Sequence, residues 1–204
     1  TSVATVDFSA AGVSDNLAGL TTGGGAVSAS MAKIDAKDAD VNVTVTDAAL
    51  ALADIADLNA LTVATNGVIT ATLTDTLANL ATLATASTDA ITVTVTSLSN
   101  AAADLLTLDG KTSVEVVATA MTDISGTFDD VKAVVITADD ANTINTDGDY
   151  DATISDTTIA ATSLSEIDGD TSGTVTATAA TTITGTAADV ITAIQSTGIT
   201  TATD

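Results

Sequence analysis

The stretch Ile91-Thr-Val-Thr-Val-Thr96 alternates apolar residues with threonine. Because successive side chains of a strand point to opposite faces, this order predicts a β-strand with Ile91, Val93 and Val95 buried and its threonines exposed. Similar stretches predict further strands: Val41-Asn-Val-Thr-Val-Thr46, Ile69-Thr-Ala-Thr-Leu-Thr74, Val114-Glu-Val-Val-Ala-Thr119, Tyr150-Asp-Ala-Thr-Ile-Ser155 and Val175-Thr-Ala-Thr-Ala179. Recurrence at intervals in the twenties of residues is typical of a repeat protein.

A short helix is predicted after each of these strands. Thr127-Phe-Asp-Asp130, Ser163-Leu-Ser-Glu166 and Thr186-Ala-Ala-Asp189 each place an acidic residue three positions after Ser or Thr, which is the pattern of a capping box. Apolar residues follow at helical spacing: Leu17 and Leu20; Ile55, Leu58 and Leu61; Leu77, Leu80 and Leu83; Phe128, Val131 and Val134; Leu164 and Ile167; Val190 and Ile194. Helices this short need to pack against a strand to be stable.

Stacking these units in register predicts the fold class. We expect a β-solenoid, a repeat solenoid of strand–short helix–turn coils with parallel strands, as in leucine-rich-repeat and β-helix proteins. The predicted strands from Val41 to Val175 start 28, 22, 23, 36 and 25 residues apart. An irregular N-terminal entry segment over residues 1–40 is expected to continue into solenoid repeats over residues 41–204, as one elongated domain.

The composition excludes several function classes. The 204 residues carry 27 Asp and Glu against four lysines, a formal net charge of −23, and contain no His, Cys or Arg. Without an imidazole, a thiolate or a guanidinium, the common acid–base, nucleophilic and anion-clamping groups are missing, so the chain is predicted not to be an enzyme. A surface this acidic repels phosphates, which predicts no nucleic-acid partner. No stretch approaches 18 apolar residues, so no membrane-spanning helix is predicted.

Two acidic clusters are the candidate metal ligands. Oxygen ligands at alternate positions resemble the start of a calcium loop, although the glycine and the terminal glutamate of an EF-hand are not in place. The predicted Ca²⁺ ligands are Asn145, Asp147, Asp149 and Asp151, with Glu166, Asp168 and Asp170 one unit later. The alternative is a solvated acidic turn, because Asp is a common turn former.

The exposed threonines form a second candidate site. If the strands stack in register, Thr44, Thr72, Thr94, Thr153 and Thr178 form one ladder, interrupted by Val117. A regular array of threonines is the known binding face of β-solenoidal ice-binding proteins. The alternative is structural, because β-branched threonine suits any exposed strand.

The stretch Thr171-Ser-Gly-Thr-Val-Thr-Ala-Thr-Ala-Ala-Thr-Thr-Ile-Thr-Gly-Thr-Ala-Ala-Asp-Val190 resembles the Thr/Ala/Asp-rich repeats of large secreted bacterial surface proteins. This group includes cyanobacterial giant cell-surface proteins, surface-layer proteins and RTX-type adhesins, and the resemblance extends over residues 40–204. It implies export to the cell surface, frequent calcium binding and assembly into layers, fibres or adhesive stalks. The GGxGxDxUx nonapeptide of RTX repeats is absent, so the RTX calcium ligands are not carried over to this chain.

These observations predict an extracellular or cell-surface structural repeat protein that self-assembles or displays a surface, as a filament, surface layer or adhesin stalk. Its expected partner is another copy, in a head-to-tail homopolymer or a longer array. The alternative function is a calcium-stabilised adhesin or ice-binding segment that uses the threonine ladder.

Overall fold

The computed structural model describes residues 12–202, in which short strands and helices alternate. The strands are β1 (Val13–Asp15), β2 (Val43–Val45), β3 (Ile69–Asp75), β4 (Ala90–Val95), β5 (Ser99–Ala101), β6 (Val116–Val117), β7 (Asp123–Gly126), β8 (Ile144–Asn145), β9 (Asp151–Ile154), β10 (Thr158–Ala160), β11 (Val175–Ala177), β12 (Thr182–Thr184) and β13 (Ile199–Thr201). The α-helices are α1 (Leu17–Leu20), α2 (Ala29–Asp35), α3 (Leu52–Ala64), α4 (Leu77–Leu80), α5 (Ala102–Asp109), α6 (Phe128–Lys132), α7 (Ala161–Asp168) and α8 (Ala187–Gln195). A π-helical segment, Ala133–Ala138, continues α6.

The predicted alternation of buried and exposed positions is confirmed in the long strands. In β4, Ile91, Val93 and Val95 are buried, whereas Thr92 is exposed and Thr94 is partly exposed. The apolar positions of β3 are buried in the same way. The period of two therefore identifies the core side of these strands from sequence.

The strands form three sheets. One has six strands in the order β1-β2-β3-β4-β6-β8, one has five in the order β13-β11-β9-β7-β5, and one pairs β10 with β12. The pairing is parallel in both larger sheets, with Val43 opposite Ile69 in the first and Ala152 opposite both Ile124 and Val175 in the second. Short helices connect many of these strands, as parallel pairing requires a crossover connection.

The predicted β-solenoid is wrong. The described residues form a mixed α/β fold with parallel sheets of six, five and two strands and eight α-helices. The prediction gives each coil one short helix, but the helices range from four residues in α1 to 13 residues in α3. The predicted strand from Val114 to Thr119 shrinks to the two residues of β6. Segments this unequal do not repeat one coil.

Two of the three predicted helix starts are confirmed. Thr127 caps α6 and Thr186 caps α8, each accepting a hydrogen bond from the backbone N–H three residues later. The predicted start at Ser163 is wrong, because α7 begins at Ala161 without a side-chain cap. Burial of Leu164 and Ile167 on one side of α7 fixes its position instead.

The chain divides into two compact units. The first comprises Thr1–Thr94 with Leu108–Val116, of which residues from 12 onward are described, and the second comprises Val95–Thr107 with Val117–Asp204, described to residue 202. The described part of the predicted entry segment, residues 12–40, contains β1, α1 and α2. Within the described residues, no helix has the length and apolar character needed to cross a bilayer.

Candidate assembly surface

Hydroxyl groups in four turns donate hydrogen bonds to residues more than 20 positions away, three of them to a backbone carbonyl. In the first unit, the Thr65 hydroxyl donates to Val41 O at 2.6 Å and accepts from Gly67 N at 3.0 Å. Thr112 makes the corresponding bonds to Ile91 O and from Val114 N. In the second unit Thr171 donates to Tyr150 O and accepts from Gly173 N, whereas Ser196 accepts from Gly198 N and donates to the Asp168 carboxylate. Sequence reasoning missed these residues, although each stands two positions before a Gly or Val at the entry to a strand.

Aspartates that follow strands cap helices from a distance. The Asp47 carboxylate accepts from Leu17 N at 2.6 Å, and Asp75 accepts from Leu52 N at 2.8 Å. Asp156 does the same for Phe128 N at 2.6 Å. Each bond satisfies a backbone N–H in the first turn of a helix, where a negative charge is also favoured by the helix dipole. Part of the high acidic content therefore stabilises the fold.

The second cluster of predicted calcium ligands and Asp151 already have protein partners. Asp151 accepts from Thr174 N at 2.6 Å, Glu166 forms an ion pair with Lys132 at 2.7 Å, and Asp168 accepts from the Ser196 hydroxyl at 2.8 Å. These bonds occupy a carboxylate oxygen on each residue.

The remaining predicted ligands lie around the turn between β8 and β9. Asp147 and Asp149 are exposed on either side of Gly148, and Asn145 is in β8, where its backbone carbonyl accepts from Ala118 N. Asp170 accepts from the hydroxyl of buried Tyr150, and burial, followed by the hydrogen bond and charge of Asp170, raises the pKa of this tyrosine. Within residues 12–202, no three carboxylate side chains are placed to share a metal ion. Calcium binding stays a prediction.

A groove of about 250 Å³ lies in the first unit, and both carboxylate oxygens of its acidic residue, Asp89, accept hydrogen bonds from the backbone. The groove is lined in part by Thr65, Asn66 and Asp89. One oxygen of Asp89 accepts from Ile69 N and the other from Ala86 N, both at 2.8 Å. These bonds hold the loop before β4 in place.

The threonine ladder exists in a different register from the predicted one. Thr153 lies opposite Thr176, which lies opposite Thr200, on the exposed face of the five-stranded sheet. The prediction placed Thr178 beside Thr153, which is wrong by two residues. Thr44 pairs with Thr70 in the six-stranded sheet, so the single ladder is also wrong.

The last elements of the second unit carry almost no charge. Residues 171–202 contain one charged residue, Asp189, whereas residues 12–170 contain 24 carboxylate side chains and four lysines. This segment supplies β12 at one side of the two-stranded sheet, β13 at one end of the five-stranded sheet, and α8, which packs against α7. Natural proteins commonly protect such sheet edges with charged side chains, and these two strands have none.

Helix α8 exposes large apolar side chains at this end. Ile191 is 50% exposed and Ile194 is 44% exposed, whereas Ala193 is fully buried. The predicted inward position of Ile194 is therefore wrong. Sequence analysis missed the surface because it counted charge over the whole chain; a count by segment shows the charge-poor end.

Comparison with protein families, with characterised proteins and with solved structures finds no match to this chain.

Proposed function

We propose that the protein is an extracellular structural protein that self-assembles, as part of a filament, layer or stalk at the cell surface. The observation that supports this function best is the charge-poor end formed by β12, α8 and β13. A chain with a net charge of −23 repels its own copies over most of its surface. Contact between copies is least costly where the charge is missing and apolar side chains are exposed.

The exposed isoleucines and the sheet edges favour association for different reasons. Burial of apolar area is the general driving force for protein contacts, and Ile191 and Ile194 offer such area on a helix. The terminal strands β12 and β13 offer backbone groups for pairing. The rest of the chain keeps the assembly in solution by charge repulsion.

Sedimentation velocity over a range of protein concentrations tests the proposal. We expect association that increases with concentration and with salt, because salt screens the repulsion between copies and leaves the apolar contact intact. Negative-stain microscopy of the same samples, with and without calcium, shows whether the product is a discrete oligomer or a polymer. A protein that stays monomeric at the highest concentration under all of these conditions contradicts the proposal.

The exposed threonine row supports ice binding as a second candidate function. Thr153, Thr176 and Thr200 lie side by side on three neighbouring strands, and neighbouring strands are about 4.8 Å apart. The test is ice-crystal shaping by the wild type and by Thr176→Lys, with Thr70→Lys in the other sheet as the matched control. Unshaped crystals in wild-type solution exclude this function.

A further inference from the structure

We propose that α8 is the contact between two copies, and that the two α8 helices pack antiparallel around a two-fold axis. This inference rests on the proposed self-assembly and names one of its contacts, which by itself joins two copies. The occupant of the exposed side of α8 is therefore the same helix of a second chain.

The exposed side of α8 has the pattern of a helix–helix seam. Ala187, Ile191 and Ile194 follow each other at spacings of four and three residues, so they lie on one side of the helix. All three are exposed. Ala193 is fully buried on the inner side. A small residue at the start of the stripe allows two helices to approach closely, and the isoleucines supply the area to be buried.

No charge interrupts this stripe. The single charged residue of the helix, Asp189, is half-buried and accepts a hydrogen bond from the Thr186 hydroxyl at 2.7 Å, within the N-cap. The neighbouring helix α7 ends instead with Glu166 and Asp168. The outer side of α8 is therefore less polar than the end of α7.

Electrostatics favour the same face on both copies over a head-to-tail contact. At physiological salt the Debye length is about 8 Å, so the charges that matter are those close to the contact. A head-to-tail contact puts the stripe against a different surface of the second copy, and most of the remaining described chain is residues 12–170, with 24 carboxylates and four lysines. A two-fold contact brings together two charge-poor surfaces. When the two-fold axis is perpendicular to the helices, they are antiparallel, which aligns their dipoles favourably.

Opposite charges at Ile191 test this symmetry. In the antiparallel two-fold contact, residue 191 of each copy lies near the axis and close to residue 191 of the other copy. Ile191→Asp and Ile191→Lys should therefore each weaken self-association about tenfold or more. An equimolar mixture of the two variants should recover association as a mixed dimer. Sedimentation velocity measures all three samples, and a fluorescent label on one variant identifies the mixed species.

The matched controls are Val63→Asp and Val63→Lys, which change an 88%-exposed apolar residue of α3 in the first unit. They should leave association unchanged and show no effect of mixing. Because Ile191 is half-exposed, its variants should keep the wild-type circular dichroism and melting temperature. If Ile191→Asp lowers the melting temperature, the same exchange at Ile194 replaces it.

The outcomes separate the inference from the proposed function. If Ile191→Lys preserves or strengthens self-association, the stripe docks on an acidic surface. This result overturns the two-fold contact but leaves the proposed self-assembly in place. Weakened variants that do not recover on mixing overturn it as well. A wild type that never associates removes both the contact and the proposed function.

Discussion

Replacing Thr112 by valine should destabilise the first unit more than any exposed threonine substitution. Thr112 is 6% exposed, and its hydroxyl connects three backbone groups. It donates to Ile91 O at 2.6 Å and accepts from Ile91 N at 3.1 Å and from Val114 N at 3.0 Å. Valine has the same shape and none of these bonds.

The size of the effect follows from the backbone groups that lose their partner. Each buried N–H left without an acceptor costs about 1–3 kcal/mol. Ile91 N is buried and Val114 N is partly buried, so we expect Thr112→Val to lower the free energy of unfolding by about 2–5 kcal/mol. For a chain of this size each kcal/mol lowers the melting temperature by about 2–4 °C. Thr112→Ser keeps the hydroxyl and should lose only about 1 kcal/mol for the missing methyl group.

Urea unfolding followed by far-ultraviolet circular dichroism measures these differences. The matched control is Thr92→Val, an exposed position next to Ile91 on the same strand, which should change stability by less than about 0.5 kcal/mol. If Thr112→Val is within about 0.5 kcal/mol of Thr92→Val, the hydroxyl does not hold the turn to the strand and the reasoning is refuted.

Asp156→Ala removes the cap of Phe128 N and should cost about 1–2 kcal/mol in chemical unfolding, whereas Asp156→Asn, which keeps an acceptor oxygen, should cost less. Because burial and Asp170 raise the pKa of Tyr150 in the folded protein, its contribution to stability is complete below the unfolded pKa near 10 and is lost as the pH rises above it. Urea unfolding at neutral and alkaline pH should show this loss in the wild type, and a Tyr150→Phe variant with the same alkaline loss would contradict the assignment. Val93→Asp puts an unpaired charge at a fully buried position and should cost more than about 4 kcal/mol; a folded circular dichroism spectrum at the wild-type melting temperature would show that the strand register is wrong.

Local features of the fold could be predicted from the sequence. Alternation identified the buried face of β4 because the period of a strand is two, whatever the strand packs against. Thr127 and Thr186 were identified as caps because a side-chain acceptor three residues before a free N–H acts within one turn. Both signals need only residues that are close in the chain.

The pairing of distant segments could not be predicted in the same way. The threonine register was wrong by two residues because Thr153 and Thr176 are aligned by the turns before their strands, where Thr174 N bonds to Asp151. A shift of two keeps threonine exposed, so the composition of the face does not reveal the error. The fold class failed for the same reason, since the sheet that a strand joins depends on connections of unequal length.

The position of the candidate surface shows a further limit of periodicity. Val190 and Ile194 are four residues apart and were predicted to face the core together, yet Val190 is half-buried and Ile194 is 44% exposed. Alanine occupies the fully buried position 193. Helical spacing identifies an apolar stripe, and the packing of the helix against its neighbours decides which stripe faces the core.

The distribution of charge connects the stability of the fold to its proposed assembly. Several carboxylates bond to the backbone at crossovers: those of Asp47, Asp75 and Asp156 accept from N–H groups at helix N-termini, and that of Asp89 bonds to a loop and a strand. The fold therefore needs these carboxylates at these crossovers. These carboxylates also repel those of other copies, so part of the repulsion between copies is a consequence of the hydrogen bonds that the backbone N–H groups need. In α8 the cap is Thr186, which accepts from Asp189 N within its own turn. Residues 171–202 carry Asp189 as their single charge, so this is the part of the described chain where a second copy meets the least repulsion.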